Sequence, residues 1–163
     1  MTGSVQHLPE YRKSGNTGEL YSEIEIHATP ERIWKVLTGF AEYAAWNPFM
    51  RSIRGNPVEG ERITVDLRPS GTTGMKMHPV LLKVVPCQEL RWVGHLFVRG
   101  LFDGEHVFEI KTLGDHTCLF TQHEYFTGLL LPLLETMLKK DTARGFTEMN
   151  EALRTRAEQP GTL

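Results

Sequence analysis

Three polar side chains lie among aromatic residues on one face of a predicted β-hairpin. Two alternating segments flank a turn at Gly114 and Asp115, a pattern typical of a hairpin. A purely apolar core has no use for such groups, because each costs free energy when it is buried without a partner. The residues that share this face are His106, Phe108 and Ile110 on the first arm, and Cys118, Phe120, Gln122, Glu124 and Phe126 on the second.

Two kinds of chemistry fit this face. His106, Gln122 and Glu124 can orient a polar group of a bound small molecule, or Glu124 or His106 can act as a general acid or base. A hydrogen-bonded buried trio without further function is an alternative. The opposite strand parity would instead turn Leu119, Thr121, His123 and Tyr125 inward. We prefer the first parity because Phe108 and Ile110 share the His106 face.

The composition is that of an ordinary globular protein. The 163 residues are 40% hydrophobic and 23% charged, and they are sufficient for one domain with a substantial core. The net charge of -2 gives no electrostatic reason to expect nucleic-acid binding, which calls for a basic patch or stripe. The longest apolar run, residues 129–134, is shorter than the roughly 20 residues needed to cross a bilayer, so we expect no insertion into a membrane.

Metal and cofactor sites are not predicted. The seven histidines include no pair with the spacing of a metal site, and Cys87 and Cys118 fit neither a metal motif nor a disulfide scaffold. Phosphate-binding and dinucleotide-binding glycine motifs are not found, so no cofactor is expected.

The termini are expected to be loose. Residues 1–18 are polar and predict a flexible arm, residues 19–158 a single domain, and residues 159–163 a short tail. The arm contains no apolar segment of the kind that a secretory signal requires, so we expect a cytoplasmic protein, either a monomer or a weak homodimer.

The elements of the domain follow from periodicity and turn residues. Thr29 is a good N-cap before Pro30, and a second short helix is expected over residues 40–45. Short connections predict an antiparallel sheet. The seven predicted strands cover residues 20–27, 50–54, 62–68, 76–85, 89–97, 105–111 and 117–126.

One long amphipathic helix closes the chain, over residues 130–157. Its apolar stripe consists of Leu134, Leu138, Thr142, Phe146, Met149 and Leu153. Gly145 lies inside it, which suggests either close approach to another element or space beside a ligand. The predicted fold is α+β: a bent seven-stranded antiparallel sheet wrapped around this helix, with two short helices after the first strand.

Four motifs, in this order, resemble the START/Bet v 1-like (SRPBCC) superfamily. Residues 28–34 (ATPERIW) resemble its opening strand-to-helix element, and residues 43–49 (YAAWNPF) an aromatic-rich segment that follows. Residues 89–92 (ELRW) resemble a strand of the family. Residues 144–153 (RGFTEMNEAL) resemble the closing helix of the polyketide cyclase/dehydrase-like branch. The resemblance covers about residues 19–157.

The resemblance implies a helix-grip fold with a cavity between sheet and helix for lipids, polyketides or other apolar molecules. Some members are cyclases or aromatases, whereas others only bind or transport. We expect an apolar or amphipathic small molecule as the partner. Trp46, together with Phe49, lies either at the cavity mouth or at a structural corner. The candidate ligand-binding residues are Trp46, Val80, Leu82, Trp92, His106, Phe108, Phe120, Gln122, Glu124, Leu138, Thr142, Phe146 and Met149.

Overall fold

The structure, a computed structural model, describes residues 5–160. It confirms the α+β helix-grip architecture, but with nine strands in place of seven. Six strands form one antiparallel sheet in the order β1-β2-β9-β8-β7-β6, and three form a second sheet in the order β3-β4-β5. The strands are β1 (Gln6–Ser14), β2 (Thr17–Ile26), β3 (Met50–Arg54), β4 (Thr64–Leu67), β5 (Met75–Met77), β6 (Val80–Val85), β7 (Glu89–His95), β8 (Asp103–Gly114) and β9 (Thr117–Thr127).

The strand β1 replaces most of the flexible arm expected at residues 1–18, so that prediction is wrong for residues 6–14. β1 pairs with β2 along its length, and Gln6 Nε2 donates to Glu151 Oε1 of the C-terminal helix at 2.7 Å. Its side chains are mostly exposed, so it lacks the apolar alternation by which a strand is recognised. Backbone pairing at the edge of the sheet orders it instead. Residues 1–4 lie outside the described part.

The second additional strand arises at Pro79, which divides the segment predicted as one strand over residues 76–85. Proline has no backbone N–H to donate to a sheet ladder. β5 therefore ends at Met77 and pairs with β4, whereas β6 begins at Val80 and pairs with β7. The chain passes from the smaller sheet to the larger one at this residue.

The N-terminal helices form as predicted. In α1 (Pro30–Thr38) the side chain of Thr29 accepts a hydrogen bond from the Arg32 backbone N–H, and Pro30 occupies the first turn. A 3-10 turn (Phe40–Glu42) and α2 (Tyr43–Trp46) follow. Asn47 ends this segment, and its side-chain oxygen accepts hydrogen bonds from the backbone N–H groups of Phe49 and Met50.

The closing helix contains a π turn. It consists of α3 (Leu131–Met137), the π turn (Leu138–Thr142) and α4 (Ala143–Glu158), and α4 ends at the residue before the predicted tail. The stripe Leu134, Leu138, Thr142 and Phe146 advances in steps of four, which drift by about 120° over three steps of a regular α-helix. A π turn adds a residue to the turn and cancels this drift. Leu138, Thr142 and Phe146 are accordingly all buried.

The packed core occupies the half of the molecule near the β8–β9 turn. Phe108 and Phe120 stack with ring centroids 5.9 Å apart, and both are fully buried. Phe146 and Met149 of α4 are equally buried against this part of the sheet. The aromatic residues of the hairpin face therefore fill space here and leave no room for a ligand.

Candidate functional site

A cavity of about 300 Å³ lies at the other end of the same face, between the sheets and the closing helix. Its walls come from β4, β5, the ends of β8 and β9 that lie far from their turn, and the helix around the π turn. The surface is mostly apolar. The lining residues are Phe49, Leu67, Pro69, Thr72, Thr73, Gly74, Met75, Met77, Phe102, Gly104, Glu124, Phe126, Met137, Leu138, Asp141 and Thr142.

Glu124 is the carboxylate that the sheet presents to this cavity. Its side chain is 12% exposed, and its Oε2 lies 3.3 Å from Nδ1 of His106, the residue opposite it on β8. Gly104 provides the space for the other oxygen, since a Cβ added at Gly104 would lie 2.9 Å from Oε1 of Glu124. The glycine therefore allows the carboxylate to lie flat against the sheet at the cavity wall.

His106 lies behind Glu124 in an aromatic enclosure. The rings of Phe108, Phe146 and Trp92 have centroids 4.3, 5.2 and 5.4 Å from that of the imidazole. Its Nε2 has no hydrogen-bond partner among the described residues. A narrow cleft of about 10 Å³ is lined in part by Trp92, His106 and Glu124, and it shares Glu124 with the wall of the main cavity. The histidine thus contacts the carboxylate but does not line the main cavity.

Gln122 lies one step further into the packed half. It is fully buried, its Nε2 donates to the Met149 sulfur at 3.4 Å, and its Oε1 has no partner among the described residues. The predicted parity of the hairpin is therefore confirmed, because His106, Gln122 and Glu124 share the inner face. Of the three, Glu124 alone borders the main cavity.

A loop over residues 68–74 covers the cavity, and the sequence predicted only a turn there. Thr72, Thr73 and Gly74 contribute to the wall. Ser70 attaches the loop to the helix: its Oγ donates to Glu148 Oε2 at 2.7 Å, and Arg144 donates to its backbone oxygen. No composition signal in this segment distinguishes a cavity wall from an ordinary surface turn.

The predicted site residues divide into several groups. Glu124, Leu138 and Thr142 line the main cavity, and Trp92 and His106 line the narrow cleft. The core residues Phe108, Phe120, Gln122, Phe146 and Met149 are fully buried and lie outside the cavity wall. Val80 is partly buried and is likewise absent from the wall.

Leu82 lies on the outer face of the sheet, so its prediction as a cavity wall is wrong. The register of β6 against β7 shifts between Leu81 and Lys83, and Leu81, opposite Trp92, is the residue that turns inward. Leu82 is 42% exposed and lines a shallow outer groove. Leu82 is the extra residue at this shift, and Val84, opposite the buried Leu90, packs against the core again.

Trp46 occupies a structural corner. Its ring packs edge-on against Tyr43 at a centroid distance of 4.9 Å, and it is not part of the cavity wall. The neighbouring Phe49 does line the cavity, and its ring centroid lies 6.1 Å from that of Phe146 in the packed core. The sequence offered a cavity mouth or a structural corner for Trp46 and Phe49 together, and the two residues divide between them: Phe49 lines the cavity and Trp46 forms the corner.

Other chemical groups in the described part of the chain offer no second site. No group of three or more His, Cys, Asp or Glu side chains among residues 5–160 is placed to hold a metal ion. Cys87 and Cys118 are free, and burial raises the pKa of both thiols. Within the same residues, no helix is both long and apolar enough to cross a membrane.

Comparison with known proteins identifies the family of the chain and structures that share its fold. A family model described as "Polyketide cyclase / dehydrase and lipid transport" matches residues 17–158. No curated protein sequence matches the chain significantly.

Solved structures show the same fold at low sequence identity. A START superfamily protein from Mycobacterium smegmatis is 20% identical with a TM-score of 0.68, covering 86% of this chain and 97% of that one. The Zhui aromatase/cyclase from Streptomyces sp. R1128 is 13% identical with a TM-score of 0.73, covering 87% and 94%. The di-domain aromatase/cyclase BexL is 9% identical with a TM-score of 0.72, covering 90% of this chain and 52% of its own. The START-like resemblance inferred from the sequence motifs is thereby confirmed.

Proposed function

Because the chain belongs to the polyketide cyclase/dehydrase and lipid transport family, we propose that it binds a small, largely apolar molecule in the cavity beside Glu124. The observation that carries the proposal is a mostly apolar cavity of about 300 Å³ whose sheet wall contains a single carboxylate. A volume of this size is at the lower end of the range for small-molecule pockets, about 300–1,000 Å³. A compact ligand of one or two rings, or a medium-length acyl chain, fits better than an extended one.

The wall chemistry suggests an amphipathic ligand. Met75, Met77 and Met137 provide flexible, polarizable surface that adapts to different apolar shapes. The carboxyl oxygens of Glu124 can accept hydrogen bonds, so the site favours a ligand that carries a donor, such as a hydroxyl group. The polar group of the ligand then lies at the sheet and its apolar body beneath the loop over residues 68–74.

A second candidate is catalysis on such a ligand, as in a cyclase or dehydrase. The contact between Glu124 and His106 favours it, since a general acid or base needs a group that reaches the substrate and a neighbour that orients it. In this reading Glu124 transfers the proton and His106 positions the carboxylate. The aromatase/cyclase names of two structures with the same fold agree with it, at 13% and 9% identity.

A pair of tryptophan substitutions tests the binding proposal. Met75→Trp fills the cavity, and Leu82→Trp adds the same ring to the outer face of the sheet. We expect saturable binding of an environment-sensitive apolar dye by the parent and by Leu82→Trp, and at least about tenfold weaker binding by Met75→Trp. Native mass spectrometry of protein purified from its own host would then identify a co-purified ligand. A folded parent that binds no dye, or equal binding by all three proteins, contradicts the proposal.

A further inference from the structure

Four large apolar side chains project into solvent at the cavity end of the molecule. The exposed fractions are 81% for Phe97, 65% for Val98, 82% for Leu129 and 78% for Leu133. They belong to two segments: the loop between β7 and β8, and the start of the closing helix. We call these four residues the apolar tip.

Backbone hydrogen bonds join the two segments of the apolar tip into one structure. The N–H of Leu129 donates to the Gly100 oxygen at 3.2 Å, and the N–H of Leu130 donates to the Leu101 oxygen at 2.9 Å. Gly128 makes this approach possible, because it has a φ of +123° and a Cβ there would lie 2.5 Å from the Leu101 oxygen. The two segments that carry the apolar side chains are therefore held next to each other by backbone hydrogen bonds.

Phe97 adopts a backbone conformation that aromatic residues rarely occupy. Its φ is 66°, in the left-handed region, where a bulky side chain is strained. Such strain persists only where the surrounding structure enforces it, and it is concentrated at functional positions. In Phe97 this backbone strain occurs together with an aromatic ring that is largely exposed to solvent.

Charged side chains of both signs lie around the apolar tip. Asp103 accepts from the Gly100 N–H and pairs with His95, and Glu135 pairs with both Lys13 and Lys139. Two lysines thus balance the charge of Glu135. Arg99, next to Val98, and Lys140, seven residues after Leu133, are exposed.

The tip also adjoins the cavity. Phe102, at the base of the loop that carries Phe97, lines the cavity wall. Met137, one turn after Leu133, lines it from the helix side. A molecule held at the tip would therefore lie next to the cavity residues.

We propose that the apolar tip docks the protein on an anionic lipid surface. Phe97, Val98, Leu129 and Leu133 enter the interfacial layer, and Arg99 and Lys140 contact the headgroups. Projecting apolar side chains next to basic ones match a lipid interface, whose headgroups are charged and whose interior is apolar. The contact is peripheral and needs no membrane-spanning segment. It does not depend on the proposed function, since it concerns the outer surface.

Vesicle flotation tests the proposal. We expect the parent to float with vesicles of phosphatidylcholine mixed with phosphatidylglycerol, and less with phosphatidylcholine alone. Phe97→Ser/Leu133→Ser should weaken binding more than about tenfold. The matched control is Val58→Ser/Leu113→Ser, at positions that are 54% and 50% exposed away from the tip. The control should bind as the parent does. Arg99→Gln/Lys140→Gln should lose the preference for the anionic vesicles.

Melting temperatures and light scattering complete the test. Equal melting temperatures of the two double serine variants show that lost flotation does not come from unfolding. A parent that floats with neither vesicle overturns the proposal, as does an equal loss in the control. If the tip variant instead converts a dimer into a monomer while vesicle binding is absent, the tip is an interface between two copies of the chain.

Discussion

Glu124 is the residue on which the proposed function depends. It is the carboxylate on the sheet side of the cavity, and its Oε2 lies 3.3 Å from Nδ1 of His106. The aromatic rings around His106 exclude water from one side of this pair, whereas the cavity opens on the other. The two proposed functions give this carboxylate different roles: a hydrogen bond to a ligand, or a proton transfer.

The substitution Glu124→Gln separates these two roles. It keeps the shape of the side chain and removes its charge and its titratable proton. For a binding protein we expect affinity for a hydroxylated ligand to fall by about 0.5–1.5 kcal/mol, because one hydrogen bond is weakened. For an enzyme, turnover should fall by roughly 10²–10⁴-fold with little change in affinity. Calorimetry and turnover measurements on the ligand found by mass spectrometry decide between them.

Glu109→Gln is the control for this experiment. Glu109 lies on β8, is exposed, and faces away from the cavity. Its substitution should leave both affinity and turnover unchanged. If Glu124→Gln behaves in the same way as Glu109→Gln, Glu124 has neither role and the polar end of the cavity lies elsewhere.

The inward face of the hairpin could be predicted at the level of residues because its pattern is local. Phe108 and Ile110 fix the parity of β8, and the short turn carries that parity to β9. Leu82 could not be placed by the same reasoning. Which β6 residues face inward depends on where the strand begins after Pro79 and on a register shift. Neither can be recognised from the pattern of apolar residues.

At the scale of elements, the sequence identified those that carry their own signals. The start of α1 is marked by the N-cap Thr29 and by Pro30, and the closing helix is marked by its apolar stripe. The exposed edge strand β1 has no such signal, because its order comes from backbone pairing with β2. The π turn is visible in retrospect as four stripe residues at intervals of four, but the same spacing is also compatible with a drifting α-helix.

Gly145 fixes how closely the closing helix approaches the segment before β3. A Cβ at this position would lie 2.3 Å from Cδ2 of the Phe49 ring, which itself lines the cavity. In a helix free of contacts, Gly145→Ala would add about 1 kcal/mol of stability. Here we expect net destabilisation of about 1 kcal/mol or more, since overpacking costs typically 1–3 kcal/mol. Urea melts of the variant and the parent measure the difference.

The double variant Gly145→Ala/Phe49→Ala provides the control. Alanine at position 49 has none of the ring atoms that make the clash, so adding Gly145→Ala to Phe49→Ala should be neutral or stabilising. Destabilisation by the same amount in both backgrounds would mean that the cost does not arise at the ring of Phe49. Close approach, one of the two explanations that the sequence allowed for Gly145, would then lose its support.

At the scale of the whole molecule, the interior changes from packed to hollow along the hairpin. Phe120 and Phe108 fill the half near the turn, His106 and Gln122 follow, and Glu124 borders the open cavity. The sequence could not predict where packing ends. Apolar residues line a core and a cavity wall alike, and the boundary depends on rings that arrive from distant segments, such as those of Phe49 and Phe146.

This gradient predicts where a ligand changes amide hydrogen exchange. Residues 68–77 and 131–142 surround the cavity, and in the ligand-free protein we expect their backbone amides to exchange faster than those of the other buried segments. Amides in the middle of β8 and β9 should exchange slowly. A saturating ligand should slow exchange in those two segments. At 100 times its dissociation constant it should also stabilise the whole fold by about 2.7 kcal/mol. Amides near the β8–β9 turn that open by local fraying should be unaffected and serve as the internal control. Protection confined to the turn end would place the ligand in the half that we describe as packed, and would contradict the proposed site.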